Sequence, residues 1–198
     1  MNLAAPSPRI GLLFGSFNPI HIGHLIVAQH MATHTDLTAV WFVVSPQSPY
    51  KVGQELLPEQ DRLALVQAAI AGNPQLGTSN VEFGLPKPSY TITALDELRH
   101  QHPGQQFALL MGSDNLAGFP GWHAADRIRQ EFDLYVYPRP GYPVPADATN
   151  SRLHVAAAPL LDISATFIRQ SVRAGQSIRY LVPESVEHLI RARGYWRE

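Results

Sequence analysis

Two histidines in a glycine-containing turn, His21 and His24, are the residues of this sequence best suited to bind a polyphosphate. An apolar run at Ile10–Phe14 predicts a buried strand before them, and the apolar spacing over Ile22–Met31 predicts a helix after them. The amino end of a helix carries unpaired N–H groups and partial positive charge, and an imidazole adds a donor that titrates near neutral pH. We therefore expect a phosphate site where this strand ends and the helix begins.

Each histidine alone would be interpreted as an ordinary residue of a helix start. The pair with Gly23 between them, downstream of Gly15, favours a binding site instead, because ligands gather at the carboxyl ends of strands in such folds. The pattern is not a Walker A loop, since no Gly-Lys-Ser/Thr follows, and the G-x-G-x-x-G spacing of dinucleotide sites is absent.

A second candidate phosphate site follows Ile163. Ser164 is predicted to cap a helix, the Thr166 hydroxyl lies in its first turn, and Arg169 comes one turn later. Alone, such a segment would be a common helix start. Free N–H groups, two hydroxyls and a guanidinium can, however, bind phosphate, so the two sites together could flank one triphosphate.

Composition narrows the class of protein. The chain has 198 residues, of which 45% are hydrophobic and 16% charged, so we expect a single globular domain over residues 1–198, with residues 1–8 as a flexible tail. A net charge of −1 predicts neither general nucleic-acid binding nor a membrane-surface role, and no apolar run is long enough to span a membrane. Without cysteine there can be no disulfide, and the nine histidines show no metal-ligand spacing. A cytoplasmic location follows by default.

Strand-like and helix-like segments alternate along the chain. This alternation predicts an α/β fold, a Rossmann-like doubly wound parallel sheet with helices on both faces. The other predicted strands are Ala39–Ser45, Asn80–Gly84, Phe107–Met111, Phe132–Tyr137 and Leu153–Ala158. The other predicted helices are Pro58–Ala71, with Leu63, Val66 and Ile70 as its core stripe, one capped by Ser89 or Thr91 and ending near His100, and one from Pro183 to Gly194.

Several polar or aromatic residues follow predicted strands and so share the rim with the histidines. Each has a second interpretation: Lys51 as a solvated lysine, Asp114 of Gly112-Ser113-Asp114 as a helix N-cap, Thr91 as a cap, and Trp122 as a core or hinge residue. A carboxylate such as Asp114 could accept a ribose hydroxyl, and a tryptophan could stack on a flat ring.

The pattern Gly15-x-Phe17-x-Pro19-x-His21-x-Gly23-His24 resembles the signature of the H-x-G-H nucleotidyltransferase superfamily, which moves a nucleoside monophosphate from a triphosphate to an acceptor phosphate. The segment from Ile163 to Arg169 resembles its I-S-x-T-x-I-R motif, except that Ala165 stands where many relatives have serine. Softer segments around Lys51, Ser89-Tyr90-Thr91, Trp122, Arg139 and Leu181-Val182-Pro183 resemble the nicotinate mononucleotide adenylyltransferase branch. The likeness extends from about Ile10 to Tyr195.

The resemblance implies adenylyl transfer from ATP to nicotinate mononucleotide, with Mg²⁺ bound mainly through ATP phosphates and no dedicated protein metal site. It implies His21, His24 and Arg169 as catalytic residues. The ATP contacts would come from Gly15, Ser16, Phe17, His21, His24, Gly112, Asp114, Ile163, Ser164, Thr166 and Arg169. The acceptor contacts would come from Asn18, Lys51, Ser89, Tyr90, Thr91, Trp122, His123 and Arg139.

Three alternatives stay open at this point. The same chemistry could serve nicotinamide mononucleotide or phosphopantetheine, although Trp122 and the Ser89-Tyr90-Thr91 segment argue against the latter. A nucleotide-binding sensor without turnover is the alternative outside the enzymes, and the intact His21, His24 and Arg169 argue against it. No nucleic-acid or membrane partner is expected, and a homo-oligomer is possible.

Overall fold

The structure, a computed structural model, describes residues 8–46, 55–144 and 152–197. Within these ranges one sheet of six parallel strands has the order β3-β2-β1-β4-β5-β6. The strands are β1 (Arg9–Gly15), β2 (Ala39–Val44), β3 (Leu76–Ser79), β4 (Gln106–Gly112), β5 (Asp133–Tyr137) and β6 (Leu153–Val155). The strand order reverses between β1 and β4, so a crevice opens at their carboxyl ends, where such sheets bind ligands.

Helices connect the strands and cover both faces of the sheet. They are α1 (Ile22–His34), α2 (Glu59–Ile70), α3 (Thr91–Gln101), α4 (Ser113–Gly118), α5 (Ala125–Glu131), α6 (Ala165–Arg173) and α7 (Glu184–Ala192), with 3₁₀ turns at Val81–Gly84 and Phe119–Gly121. None of the helices in the described ranges is long and apolar enough to cross a membrane.

The core forms two layers because neighbouring strand residues point to opposite faces. Leu13 packs in the layer that also holds the buried faces of α1, α2, α6 and α7. Leu12, its neighbour, packs in the layer with α3 and α5. Both faces of the central strands are therefore apolar, and the predicted doubly wound α/β fold is confirmed.

The predicted third strand was wrong. The strand pairing with β2 is Leu76–Ser79, and Val81–Gly84 forms a 3₁₀ turn. Glycine has a low strand propensity, so Gly77 argues against a strand at this position. The glycine is nevertheless required by the Trp41 side chain, because a Cβ on residue 77 would lie 2.5 Å from Trp41 Cδ1. The apolar Val81 turns inward to the α3 layer instead of extending along the sheet.

Caps and boundaries differ at several helix starts. Tyr90 occupies the N-cap of α3 and Gly112 that of α4, and neither cap makes a side-chain hydrogen bond, so Ser89, Thr91 and Asp114 are not N-caps. Ser164 does cap α6, since its Oγ accepts from the Phe167 N–H at 3.2 Å. Strand β6 is shorter than predicted, and α4 and α5 were not predicted from the sequence.

Helix α2 should depend on Leu65, which is 1% exposed in the layer shared with α1 and α7. Replacing Leu65 by alanine should lower the free energy of unfolding by about 2–5 kcal/mol, because the site loses apolar contact and gains a cavity. Urea unfolding measures this. The control is Val155→Ala at an exposed position of β6, where a change within about 0.5 kcal/mol is expected. Equal losses in the two variants would contradict the assignment.

Candidate active site

A cavity of about 390 Å³ opens at the carboxyl ends of β1, β4 and β5, between the histidine turn and the start of α6. It gathers residues distant in the sequence, as expected at the point where strand order reverses. Among the residues singled out from the sequence, those lining it are Gly15, Ser16, Phe17, Asn18, His21, His24, Asp114, Trp122, Arg139, Ile163, Ser164, Thr166 and Arg169. Both predicted phosphate motifs therefore face one space.

The two motifs are joined directly by Arg169. Its Nη1 donates to the Asn18 carbonyl at 2.8 Å, and its Nη2 donates to Thr166 Oγ1 at 3.2 Å. Burial and the neighbouring charge of Arg173 lower the pKa of Arg169, which remains cationic near pH 7 as guanidinium groups do. The arginine is thus held in place before any ligand arrives, which favours its use as an anion clamp.

The histidine rings stack at the start of α1, with centroids 3.7 Å apart and planes inclined by 24°. The backbone N–H of His21 donates to His24 Nδ1 at 3.3 Å. When His24 is neutral, its ring proton is therefore on Nε2. Gly23 leaves room for this stack, because a Cβ there would lie 3.1 Å from His21 Nδ1. The arrangement fixes one tautomer of His24 and hence one direction in which it can donate.

His21 is 6% exposed, and its Nδ1 has no hydrogen-bond partner among the described residues. Burial, together with the smaller effect of the positive charge of Arg139, lowers the pKa of His21 from 6.5 to about 4. His21 is therefore a neutral donor or acceptor at physiological pH and contributes no positive charge to the cavity.

The β4 end of the cavity contains an ordered polar turn. Ser113 Oγ donates to the Tyr142 carbonyl at 2.6 Å and accepts from the Arg139 N–H at 2.7 Å. Arg139 Nε lies 4.0 Å from Asp114 Oδ1, at the limit of an ion pair. Gly112 does not line the cavity, but a Cβ on it would lie 2.3 Å from Asp114 Oδ1, so glycine is what allows the carboxylate its position.

The predicted acceptor residues fall into two groups. Trp122 lines the cavity, half-buried, with its ring 5.4 Å from that of Phe119. Ser89, Tyr90, Thr91 and His123 do not line it, although the Tyr90 and His123 rings contact each other with centroids 4.4 Å apart. Ser89 is buried, whereas Tyr90 is exposed beside His123. Lys51 lies outside the described residues.

The Asn18 side chain makes structural hydrogen bonds that were not predicted from the sequence. Its Nδ2 donates to the Glu55 carbonyl at 3.0 Å, and its Oδ1 accepts from the Leu57 N–H at 3.2 Å. Both polar atoms of the side chain are thereby engaged, and the residue is 4% exposed. Asn18 ties the turn after β1 to the segment that leads into α2.

Arg62, which contacts the same turn, was not identified from the sequence. Only 1% of this residue is exposed, and burial lowers its pKa. Its guanidinium donates to four backbone carbonyls, those of Ser16, Ser45, Pro46 and Leu57. A single arginine in an otherwise amphipathic helix is typical of an exposed position, so only the structure identifies it as buried.

Taken together, the cavity can bind a polyanion and align it. It offers two imidazoles, two guanidinium groups, hydroxyls and the free N–H groups at the amino end of α6. In the described ranges no group of three or more His, Cys, Asp or Glu side chains could hold a metal ion.

Comparison with known proteins finds relatives that cover nearly the whole chain. A family model described as cytidylyltransferase-like matches residues 12–171. A probable nicotinate-nucleotide adenylyltransferase from Cytophaga hutchinsonii is 50% identical over 194 residues, covering 95% of this chain and 98% of its own length. One from Bacteroides fragilis is 44% identical over 178 residues, covering 90% and 89% of the two chains.

Solved structures agree on the fold. The nicotinic acid mononucleotide adenylyltransferase of Plasmodium falciparum, complexed with NaAD, superposes with a TM-score of 0.78 at 15% identity, covering 96% of this chain and 97% of its own. The same protein complexed with APC gives a TM-score of 0.77 over the same shares of the two chains.

The low pKa of His21 should appear in the pH dependence of stability. Because His21 stays neutral in the folded protein but titrates near 6.5 when unfolded, the unfolded state binds more protons between these values, and stability falls as pH falls from about 6.5 to about 4. His21 alone should remove about 2–3 kcal/mol between about pH 7 and about pH 4.5.

Urea unfolding at both pH values tests this in the wild-type chain and in His21→Asn, which keeps a good N-cap. The variant should lose less stability on acidification by that amount. An NMR titration of the His21 ring should give a midpoint near 4. A midpoint near 6.5 would show that the ring is solvated and would contradict the burial argument.

Proposed function

We propose, from the premise that this chain belongs to the cytidylyltransferase-like family, that it transfers the adenylyl group of ATP to nicotinate mononucleotide, giving nicotinate adenine dinucleotide and pyrophosphate. The observation that carries the proposal is the single cavity in which the His21–His24 turn faces the Ser164–Arg169 helix start. Relatives up to 50% identical over nearly the whole chain carry this activity in their names. The reaction belongs to NAD biosynthesis.

The reaction needs alignment more than acid–base catalysis. The 5′-phosphate of the acceptor is already an anion, so one of its oxygens can attack the α-phosphorus of ATP without losing a proton. A new P–O bond forms there as the bond from the α-phosphorus to the bridging oxygen breaks, and pyrophosphate leaves with that electron pair. The protein must bring two anions together and stabilise charge on the equatorial and leaving oxygens.

The groups of the cavity divide this task. His24 donates from Nε2 to a phosphate oxygen near the reacting phosphorus, since its Nδ1 is occupied by the His21 N–H. His21 contributes a neutral imidazole, and Arg169 supplies positive charge for the β- and γ-phosphates beside Ser164 and Thr166. The Ser164 hydroxyl is engaged as the helix cap, so its contribution is to hold the N–H groups of α6 in place.

We further propose Mg²⁺ as the cofactor, bound mainly through phosphate oxygens of ATP. The lining fits this arrangement, because it is rich in donors for anions and offers Asp114 as a carboxylate, whereas Mg²⁺ commonly keeps water and substrate oxygens as ligands. When bound, the ion would neutralise charge on the phosphates.

The acceptor is proposed to lie along the β4 and β5 side of the cavity. Trp122 offers a ring face for the pyridine, and Arg139 offers a cation beside Asp114. The Tyr90–His123 pair and Thr91 would border the far side of the base. Asn18 serves the acceptor indirectly by positioning the turn, and we retain Lys51 as a candidate contact. The proposed ATP side also includes four residues that would contribute backbone groups and the shape of the cavity wall: Gly15, Phe17, Gly112 and Ile163.

ATP and nicotinate mononucleotide are the partners this proposal requires, and a cytoplasmic location suits both. The oligomeric state stays open, and the expectation of no nucleic-acid or membrane partner rests on the net charge of −1 and the length of the apolar runs.

The acceptor can be identified by pyrophosphate release with ATP and Mg²⁺, comparing nicotinate mononucleotide with its amide at equal concentration. We expect a strong preference for the acid, because its carboxylate can accept from N–H and hydroxyl donors near Trp122 and Thr91. Equal rates would keep the chemistry and refute the acceptor assignment. Release only with phosphopantetheine would assign another branch, and nucleotide binding without release would indicate a sensor.

The role of His24 can be tested by His24→Ala, with kcat measured in the same assay. Loss of one preorganised donor should lower kcat by about 10²–10³-fold while the protein remains folded. The matched control is His188→Ala, an exposed histidine of α7 outside the cavity, which should keep wild-type turnover. Near wild-type turnover in His24→Ala would remove this residue from the mechanism.

A further inference from the structure

The guanidinium of Arg62 joins three separate chain segments, of which the turn after β1 lines the cavity. Its Nη1 donates to the Ser16 and Ser45 carbonyls, both at 2.7 Å, and its Nη2 donates to the Pro46 carbonyl at 2.9 Å. Its Nε donates to the Leu57 carbonyl, also at 2.9 Å. The segments are the turn after β1, the end of β2 and the entry to α2.

Such a residue is unusual because its charge is buried with no carboxylate of the described ranges in contact, and Glu59 acts on it only by longer-range attraction. No acidic side chain of the described residues lies within ion-pair distance of Arg62, and only 1% of the residue is exposed. Burying a cation without a carboxylate in contact is unfavourable, and the bonds to four carbonyls, which an apolar residue could not make, offset that cost. A polyanion in the cavity above would compensate the charge, because screening by water is weak in a protein interior.

The bond to Ser16 also sets the direction of the next peptide group. The Ser16–Phe17 peptide is trans, so its carbonyl and the Phe17 N–H point in opposite directions. The carbonyl points at buried Arg62, and therefore the Phe17 N–H points to the other side of the turn, where Ser16 and Phe17 line the cavity. The structure gives this N–H no hydrogen-bond acceptor among the described residues.

We propose that Arg62 is a positioning residue for nucleotide binding: through the Ser16 carbonyl it turns the Phe17 N–H toward the triphosphate, and through Ser45, Pro46 and Leu57 it fixes the neighbouring chain segments at the site. This role rests on the proposed function and adds to it a residue that does not touch the substrate. The guanidinium also places a fixed positive charge behind the phosphates.

Arg62→Lys and Arg62→Met test the proposal, with the dissociation constant of a non-hydrolysable ATP analogue and the steady-state constants kcat and KM as readouts. Lysine keeps the charge but cannot direct four bonds, so we expect ATP affinity and kcat/KM to fall by about 10–100-fold, and further in Arg62→Met. The KM for the acceptor should change less than the KM for ATP.

Leu65→Ala is the matched control, a buried residue on the same helix outside the cavity. It loses stability without touching the turn, so its ATP affinity and kcat per folded molecule should stay within about twofold of wild type. Arg62 variants that match Leu65→Ala in stability and in both readouts would show that the arginine is only structural, and would overturn the proposal.

A wild-type measurement covers the case in which neither variant folds. Hydrogen exchange of the Phe17 amide, followed by NMR, should slow when the ATP analogue binds, and unchanged exchange would overturn the proposal. Wild-type protein that binds the analogue but releases no pyrophosphate with any acceptor would refute the proposed function and leave the Arg62 comparison intact. Wild-type protein that binds no ATP analogue would refute both.

Discussion

The turn after β1 is the constraint on which the site depends. Phe17 has a positive φ of 46°, a conformation that disfavours side chains other than glycine by about 1–3 kcal/mol. The fold holds it there by packing its ring edge-on against Phe42, with centroids 5.3 Å apart. Gly15 must be glycine for the same reason, because a Cβ there would lie 2.8 Å from the Phe17 ring.

This turn also connects elements that are distant from one another in the sequence. Arg62 reaches it from α2 and Arg169 from α6, each through a backbone carbonyl. The Asn18 side chain makes two hydrogen bonds to the segment before α2. The strained turn is therefore stabilised by the elements that it positions, and a change in any of them reaches the phosphate-facing groups through one short segment.

In the cavity, positive charge and hydrogen-bond donation come from different side chains. Burial and Arg139 keep His21 neutral, whereas Arg169 and Arg139 carry the charge. A neutral His21 avoids the repulsion that two stacked cations would have with ring centroids 3.7 Å apart. A bound triphosphate would act in the opposite direction and raise the pKa of His21, so ligand binding and proton uptake should be linked at low pH.

The sequence was informative where chemistry and periodicity coincide. The strands β1, β2, β4 and β5 were predicted because both faces are buried, which gives continuous apolar runs. The histidine turn and the Ser164 cap were predicted from residue types whose physical roles are local. The edge strand Leu76–Ser79 was missed, because three of its four residues are glycine, threonine and serine and its partner Trp41 is distant in the sequence.

Arg62 was missed for a different reason. Its hydrogen-bond partners are backbone carbonyls, which every residue possesses. No residue type elsewhere in the sequence therefore indicates that Arg62 has partners. The contact of Tyr90 with His123 and the hydrogen bond from Asn18 to Glu55 likewise depend on the tertiary structure, so the sequence pattern did not predict them. Local patterns predict which groups can bind phosphate, but they do not predict what holds those groups in position.

Ala165 shows how the same distinction applies to the one departure from the family motif. It is the first residue of α6 and lines the cavity, where many relatives are expected to have a serine hydroxyl. The cap is provided by Ser164, and Arg169 is held by Thr166 and the Asn18 carbonyl, so none of these bonds requires a side-chain donor at 165. Alanine also favours the helix more than serine does. The frame that presents the α6 N–H groups is therefore complete without the missing hydroxyl, and its loss can affect only a direct contact with the ligand.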